Sequence, residues 1–372
     1  MSQASCNLDL HIYLAHFPPD GQALDEGTAK AVAGLAGGAA HGGARVTVVC
    51  DGKSTTRTRS PRGDYDIACL TRDDLQKYVA SLNGNSLFLL NGMFHPRVYA
   101  LSRLLDKRGV GYVVAPHDPY HPSIFQKRAH LKWPYWFLRE RPMLRRARAV
   151  QVLDDRHAQF LKELGVQTQV IATCNGFSPE DLCPAEQLRW SSDGPIKLLF
   201  LGRLDAFNKG LDLLIQAIPG ALECADVRLT IQGPDWGDLQ QLQKLANDSK
   251  NVSFLSPDYQ KRPWQIIAEH DVLCLPSRFE GFGLAAMEGM LAARVLVISE
   301  IAGIARHVRA SGCGLVIEPN VKAIRDAVLD LINRRDKWKE MGLAGREYAL
   351  KNFQWDRIAE DALRQYARVS SR

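Results

Sequence analysis

Residues 277–290 read SRFEGFGLAAMEGM, and two different nucleotide sites can be drawn from them. Gly281-Phe282-Gly283-Leu284-Ala285-Ala286 fits G-x-G-x-x-G/A, the fingerprint of a dinucleotide-binding βα turn. Two carboxylates, Glu280 and Glu288, frame the same glycines with seven residues between them. The stretch follows the apolar run DVLCLP (271–276) and opens the pattern LAAMEGMLAA (284–293), so either site sits on a strand–turn–helix unit. Glu300 lies nineteen residues past Gly281, about where a ribose-binding acid belongs. Two features count against the dinucleotide. Ser277-Arg278-Phe279-Glu280 separate strand from glycines where a tight turn should begin at once, and the unit comes late in its half of the chain.

Working outward, both halves alternate short β-branched runs with longer helical patterns. The strand candidates of the first half are 8–14, 45–50, 86–91, 111–116, 149–154 and 168–172. Those of the second are 196–202, 227–233, 252–255, 271–276, 294–299 and 314–319. The runs are nearly all apolar rather than alternating, as expected of parallel strands covered on both faces. Strand–helix repetition of this kind predicts doubly wound α/β domains. SPEDLCPAEQLRWSSDGP (178–195), rich in Pro, Ser and acids, reads as a linker. The expected architecture is two Rossmann-like domains facing across a cleft. The first covers 1–185 and the second 196–352, and a C-terminal helix over 353–372 packs back on the first.

Bulk properties agree with this plan. A chain of 372 residues is too long for one ordinary core. No apolar run approaches the roughly 18–20 residues of a spanning helix. The start, MSQASCNLDLHIYLAHFPPDG, lacks a basic region and has its apolar part broken by Asp9 and His11, so it reads as a first strand rather than a signal peptide. The eight cysteines are scattered without a C-x-x-C pair, and several fall in apolar runs, which predicts reduced thiols and a cytoplasmic location. Residues 1–190 carry 23 Lys+Arg against 18 Asp+Glu, and 191–372 carry 24 against 23. The basic excess concentrates in 126–149, where eight cations meet one acid, Glu140, with Trp133, Tyr135, Trp136 and Phe137 between them.

A second candidate site lies in LFLGRLDAFNKGLDLL (199–214). Gly202 ends a strand, Arg203 follows it, and Lys209 precedes Gly210 at a helix start. Two cations on one βα loop, with the free N–H groups of a helix start, suit a diphosphate. Each charge-assisted hydrogen bond contributes about 1.5–3 kcal/mol, against roughly 0.3–1 for the helix dipole, so the cations should dominate. Standing alone, the pair could equally be surface charges around a helix start.

Taken together, GR…KG (202–210) and PSRFEGFGLAAMEGM (276–290) resemble the signature of the retaining glycosyltransferases of family 4, which have the GT-B fold. The resemblance extends over HGGARVTVV (41–49), YVVAPHDPY (112–120), CNG (174–176) and NFQWDRIAEDAL (352–363). It implies a nucleotide-sugar donor, UDP- or GDP-linked, held by the second domain. Arg203 and Lys209 would grip the diphosphate and stabilise charge on the departing nucleotide. The helix start at Phe282-Gly283-Leu284 would offer N–H groups to the phosphates, with Gly281 and Gly283 allowing close approach. Glu288 would accept the ribose hydroxyls, and Glu280 would sit near the donor sugar's reacting face. The bland alternative makes Glu280 a helix cap and Glu288 a solvated residue.

The resemblance also places Gly27 and Thr28, within DEGTAKAVAGL (25–35), at the acceptor loop, with Glu26 before them where a second glycine is usual. His117 matches a histidine near the donor sugar, whose other reading is a plain turn residue. The catalytic set is thus Glu280, His117, Lys209 and Arg203. The implied chemistry retains anomeric configuration and needs no cofactor and no metal. Asp64-Tyr65-Asp66 does match a manganese-binding D-x-D, but lacks the rest of that pattern and reads as surface acids. Departures from the family are Ala292-Ala293-Arg294, where a small residue, Gly and Pro are usual, and Arg306, where many have Glu.

The implied acceptor is a carbohydrate or a lipid-linked molecule in polysaccharide, lipid or glycoconjugate synthesis. Basic residues beside Trp and Tyr in 126–149 suit peripheral contact with an anionic membrane at its inner face. The same stretch fits a solvated face packing its aromatics inward, and no nucleic-acid motif accompanies it. The alternative from another class is an NAD(P)-dependent oxidoreductase using Gly281–Ala286, and a third is a basic binding protein without catalysis.

Overall fold

Apolar runs that must be covered on both faces should build parallel sheets, and they do so twice. The computed structural model describes residues 8–21, 27–126, 128–247 and 249–370. It divides into two compact units, the first running to Gly176 and resuming at Phe353, the second spanning Phe177–Asn352.

The first unit holds β1 (Asp9–Tyr13), β2 (Arg45–Asp51), β3 (Thr56–Arg59), β4 (Asp66–Leu70), β5 (Ser86–Asn91), β6 (Gly111–Ala115), β7 (Ala149–Val152) and β8 (Val170–Ala172). Their order is β3-β4-β2-β1-β5-β6-β7-β8, all parallel except β3, which runs antiparallel along β4. In the centre Leu10 faces Val46 on one side and Leu87 on the other, and all three are buried. Strand order reverses between β1 and β5, and the loops that follow these strands leave on either side of that point.

Sequence patterning places no strand between 50 and 86, yet β3 and β4 are there. β4 offers only Ile67–Leu70 as an apolar run, and β3 is Thr-Arg-Thr-Arg, wholly exposed. A charged edge strand of this kind blocks further strand pairing and carries no burial signal. Asp64 and Asp66 flank the turn and pair with Arg59 at 2.6 and 2.9 Å, so the D-x-D acids are committed to a surface arginine.

The second unit holds β9 (Ile196–Leu201), β10 (Val227–Gln232), β11 (Val252–Leu255), β12 (Val272–Leu275), β13 (Val295–Ser299) and β14 (Gly314–Ile317). The six strands are parallel in the order β11-β10-β9-β12-β13-β14. This is the doubly wound order in which the chain starts centrally, builds one way, then crosses to build the other. The expected fold class, two Rossmann-like α/β domains, is the fold observed.

Segment 178–195 is packed onto the second unit rather than strung free. Trp190 donates its indole N–H to the Ala293 carbonyl at 3.2 Å, and Arg346 donates to the Cys183 carbonyl at 2.7 Å. Arg335 binds the carbonyls of Ser191 and Gly194 at 3.2 and 2.8 Å. The boundary therefore falls at 176/177, ahead of the expected end of the first domain at 185. The seven described cysteines are free thiols; Cys6 lies outside the described residues.

The last helix, Trp355–Ser370, packs on helix Gly27–His41 of the first unit. Two glycines one turn apart permit it. A Cβ on Gly34 would stand 2.1 Å from the Trp355 indole, and one on Gly38 would stand 2.7 Å from the Trp355 carbonyl oxygen. Tyr366 anchors the far end by donating its hydroxyl to Gln151. Backbone cannot yield as a flexible side chain can, so Gly38→Val should lower unfolding free energy by about 1–3 kcal/mol in urea titration. Gly84→Ala, where a Cβ meets nothing within 4 Å, should change it by less than about 0.5 kcal/mol. Equal effects would show that the helix contact is loose.

Candidate functional site

In a parallel sheet every strand-to-helix loop leaves from the same edge, and a reversal of order opens a crevice there. In the second unit that reversal lies between β9 and β12, which are direct neighbours. The loops leaving them are 202–210 and 276–283, the two stretches singled out in the sequence.

They are joined by side chains and backbone. Lys209 Nζ donates to Glu280 Oε2 at 2.8 Å, and Ser277 Oγ donates to the same oxygen at 3.1 Å. The pair is largely shielded, with side-chain exposures of 15% and 12%. Arg278 forms a fork with both carboxylate oxygens of Asp212 at 2.7 and 2.8 Å, and lies over the Phe207 ring. The Asn208 carbonyl accepts from the N–H groups of Arg278 and Phe279. Gly210 has φ of 66° and opens the helix Leu211–Leu222; a Cβ there would stand 2.2 Å from the Pro276 carbonyl oxygen. Only glycine lets the two loops meet this closely.

Helix Leu284–Leu291 begins behind Gly283, whose φ of 97° and lack of a side chain leave the first turn without a side-chain cap. N–H groups at such a start have no partner within the helix. The loop ahead of it is fixed from behind, since the carbonyls of Gly281 and Phe282 accept from Gly303 and Ile304 at 3.0 Å each. The Phe282 ring is buried beside His307, so Phe282 can offer a ligand its backbone only. Glu280 is held by Lys209 and Ser277 rather than capping the helix, and Glu288 is buried, so neither is the solvated or capping residue of the bland alternative.

Arg203 is brought to the same edge but stays apart from the Lys209–Glu280 pair. Its guanidinium lies 4.2 Å from the centroid of Trp236, in the loop after β10. Arg294 and Arg306 do not join this group. Arg294 is buried against Trp190, donating to the carbonyls of Ala292 and His270, and Arg306 is exposed on the helix Ala305–Ser311.

In the first unit His117 follows β6 with a left-handed φ of 66°. Its Nε2 lies 2.7 Å from Asn91 Oδ1 at the end of β5. The Asn91 amide donates to the carbonyls of Tyr13 and Leu89 at 3.0 and 3.2 Å, which turns its oxygen toward the histidine. His117 therefore carries its proton on Nε2 and keeps an acceptor at Nδ1. Burial lowers its pKa to about 4, so the ring is neutral at pH 7. Gly27 and Thr28 open the helix Gly27–His41, and Glu26 lies outside the described residues.

Sequence reasoning missed Asn91, Ser277, Asp212 and Trp236. The signal for Asn91 was a lone amide closing the apolar run SLFLLN. Ser277 and Asp212 carried none, since both are ordinary residues whose importance comes from loops meeting in space.

The basic, aromatic stretch forms helix Ala129–Tyr135, a π-helical turn Trp136–Glu140 and helix Arg141–Arg146. It faces both ways. Trp136 is buried, whereas Leu131, Trp133, Phe137 and Leu138 are exposed. Behind it Glu140 accepts from the Tyr120 hydroxyl at 2.6 Å and from the Phe94 N–H at 2.9 Å, tying the loops after β6 and β5 to this segment. Burial pushes its carboxyl up to about 7, against the pull of those two bonds. Lys127 lies outside the described residues.

Residues 195–334 match the family described as Glycosyl transferases group 1. Among curated proteins, a phosphatidyl-myo-inositol mannosyltransferase of Mycobacterium leprae is 31% identical over 201 residues, 53% of each chain. A D-inositol 3-phosphate glycosyltransferase of Nocardia farcinica is 29% identical over 51% of this chain and 44% of that one. The matches thus span about half the length of these relatives. Among solved structures, sucrose-phosphate synthase from Thermosynechococcus elongatus superposes with TM-score 0.74 at 18% identity, covering 98% of this chain and all of that one. Anabaena HepE in complex with UDP and glucose gives 0.74 at 14%, covering 97% and 100%. Residues 195–334 of the second unit are thus similar to group 1 glycosyltransferases, and the chain has the fold of the GT-B glycosyltransferases.

Glu140 gives this arrangement a pH signature. A carboxyl raised from 4.5 to about 7 is protonated in the folded chain across that interval, while the unfolded chain has already lost the proton. Its contribution is fully present below pH 4.5 and is lost as pH rises through 7, by about 3 kcal/mol. Glu140→Gln keeps an acceptor for Tyr120 and Phe94 and removes the titration. Urea unfolding from pH 4.5 to 8 should show the variant gaining about that amount relative to the parent. Parallel profiles would rule Glu140 out as the titrating group.

Proposed function

We propose that the chain is a retaining glycosyltransferase that moves a sugar from a UDP- or GDP-sugar to a carbohydrate or lipid-linked acceptor, in polysaccharide, lipid or glycoconjugate synthesis. One observation carries the reading: the loops bearing Arg203, Lys209, Glu280 and an uncapped helix start all leave the edge where the second sheet reverses its order, and Lys209 and Glu280 meet there. The names of the mycobacterial and Nocardia relatives, with their inositol-bearing substrates, support an acceptor of lipid or phosphorylated-polyol type.

On this reading the donor's diphosphate takes hydrogen bonds from Arg203, Lys209 and the N–H groups around Gly283 and Leu284. These groups face charge that grows on the diphosphate as the bond to the sugar breaks, so they stabilise the transition state more than the bound donor. Departure and attack share one face of an oxocarbenium-like sugar, and the leaving charge is met by side chains rather than by a resident metal ion. Glu280 orients the sugar beside Lys209, and buried Glu288 accepts the ribose hydroxyls. His117, neutral with an acceptor at Nδ1, binds the sugar's 6-hydroxyl region or orients the acceptor, and Gly27 and Thr28 belong to the acceptor loop. The dinucleotide alternative is not favoured. Its fingerprint belongs at the first strand of the sheet, whereas Gly281–Ala286 follow β12, the fourth in chain order.

A donor-hydrolysis screen across UDP- and GDP-sugars tests the reading, and turnover should appear with one nucleotide class. Lys209→Ala and Glu280→Ala should each lose about 10²–10³-fold in kcat while melting near the parent temperature. Near-parent turnover in either variant would remove that residue from the mechanism, and a melting shift with NAD alone would favour the oxidoreductase.

Exposed Leu131, Trp133, Phe137 and Leu138 beside Arg128, Lys132 and Arg139 also suit peripheral contact with an anionic bilayer. No described helix is long and apolar enough to cross a membrane. Cosedimentation with anionic liposomes should be strong at low salt, weaker at high salt, and reduced by Phe137→Ser with Leu138→Ser. Absence of salt-sensitive binding would leave the stretch as a solvated face.

A further inference from the structure

The two cations assigned to the diphosphate are held in opposite ways. Lys209 spends its charge on Glu280, at 2.8 Å. Arg203 has no ion pair or hydrogen bond from its guanidinium among the described residues; it lies over the ring of Trp236, 4.2 Å from the centroid. A salt bridge occupies N–H donors of a guanidinium, whereas an aromatic face attracts its charge without accepting a conventional hydrogen bond. The guanidinium's donors then remain for an anion.

Trp236 is an unusual residue to leave in solvent. It is 61% exposed, among the most exposed large apolar side chains of the chain. Its loop is nonetheless built firmly. Asp235 Oδ1 accepts from the N–H groups of Gly237, Asp238 and Leu239 at 2.7, 3.1 and 3.1 Å, closing a turn around the indole. Leu204 donates its N–H to the Pro234 carbonyl at 2.9 Å, and Asp238 accepts from Ala206 at 2.9 Å. Gly202 and Gly233 pass so closely that a Cβ on Gly233 would stand 1.9 Å from the Gly202 carbonyl oxygen. The backbones carrying arginine and indole are therefore fixed to each other, and the stack does not depend on a mobile loop.

We infer that Trp236 is a positioning residue for nucleoside diphosphate binding, its indole face holding the Arg203 guanidinium without an ion pair so that N–H donors stay available for a diphosphate. The inference rests on the donor-site reading above and adds to it the side chain that prepares the unpaired cation. An arginine otherwise loses rotamer freedom when it binds, and a surface that orders it beforehand moves that loss out of the binding step.

Calorimetric titration with UDP and with GDP tests this in the parent, Trp236→Ala, Trp236→Phe, Arg203→Ala and the double Arg203→Ala/Trp236→Ala variant. Because Trp236 is exposed, its variants should melt with the parent. Trp236→Ala should weaken the preferred nucleotide by about 2- to 5-fold, the worth of an exposed cation–π contact. Trp236→Phe should stay near the parent, and Trp236→Ala should cost nothing further once Arg203 is alanine. An unchanged affinity in Trp236→Ala would overturn the proposal. So would an equal loss with and without Arg203, which would mean that the indole touches the nucleotide itself. If the parent binds neither UDP nor GDP, the donor-site reading fails and this proposal falls with it. If the parent binds and the cycle shows no coupling, only the role of Trp236 falls.

Discussion

Lys209 and Glu280 stand 71 residues apart in the chain and 2.8 Å apart in space, and the second unit depends on how they come together. The loops that carry them leave adjacent strands at the one place where strand order reverses, so no helix fills the gap between them. A largely shielded ammonium next to a carboxylate would be costly to leave single, and Ser277 occupies part of the carboxylate's remaining capacity. The Arg278–Asp212 fork and the paired N–H bonds onto Asn208 join the same two chain segments by other means. Because several bonds of different chemistry fix the same two loops, the uncapped helix start at Gly283 and Leu284 is held by a rigid frame. That rigidity matters for electrostatic catalysis, which requires dipoles aimed before the charge develops.

Much of this was legible in the residues, for a physical reason. Parallel strands are covered on both faces and so become nearly unbroken apolar runs, and stretches such as those of β9 and β13 advertise themselves without any tertiary information. β3 and β4 were hidden by the same logic. An edge strand of Thr and Arg buries nothing, and its partner is too short to stand out between charged turns. Segment 178–195 misled for a related reason, since its composition is that of a free connection. What holds it is a single indole reaching a distant carbonyl and arginines clasping its backbone, contacts between residues more than a hundred positions apart.

Within the candidate site, motif residues were visible because glycine and charge recur at fixed spacing, while the residues that set their geometry were not. Gly210 can be seen to be a glycine, but that Pro276 requires it follows only from the approach of two loops. Asn91 looks like the polar end of a strand. It fixes the tautomer of His117 because its two N–H groups are already taken by Tyr13 and Leu89. Arg294 is the reverse case, a departure from the family pattern at a position that braces the second unit. Its guanidinium is buried beside Trp190, so the substitution changes how the second unit is braced rather than what a ligand would meet.

The two cations can be compared by what each must give up. To bind a diphosphate, Lys209 exchanges or shares a carboxylate partner, so its net gain is the difference between two charge-assisted bonds. Arg203 exchanges water for the diphosphate and keeps its ring contact, so its net gain is not set against a lost ion pair. Bond breaking shifts this balance. As the sugar departs, the diphosphate gains negative charge and competes more strongly for the ammonium than it did in the bound donor. On the proposed reading, Lys209 is then the cation whose contribution grows along the reaction, and Arg203 the one whose contribution is present from the start. Differential stabilisation of that kind lowers a barrier, whereas uniform binding only retains the substrate.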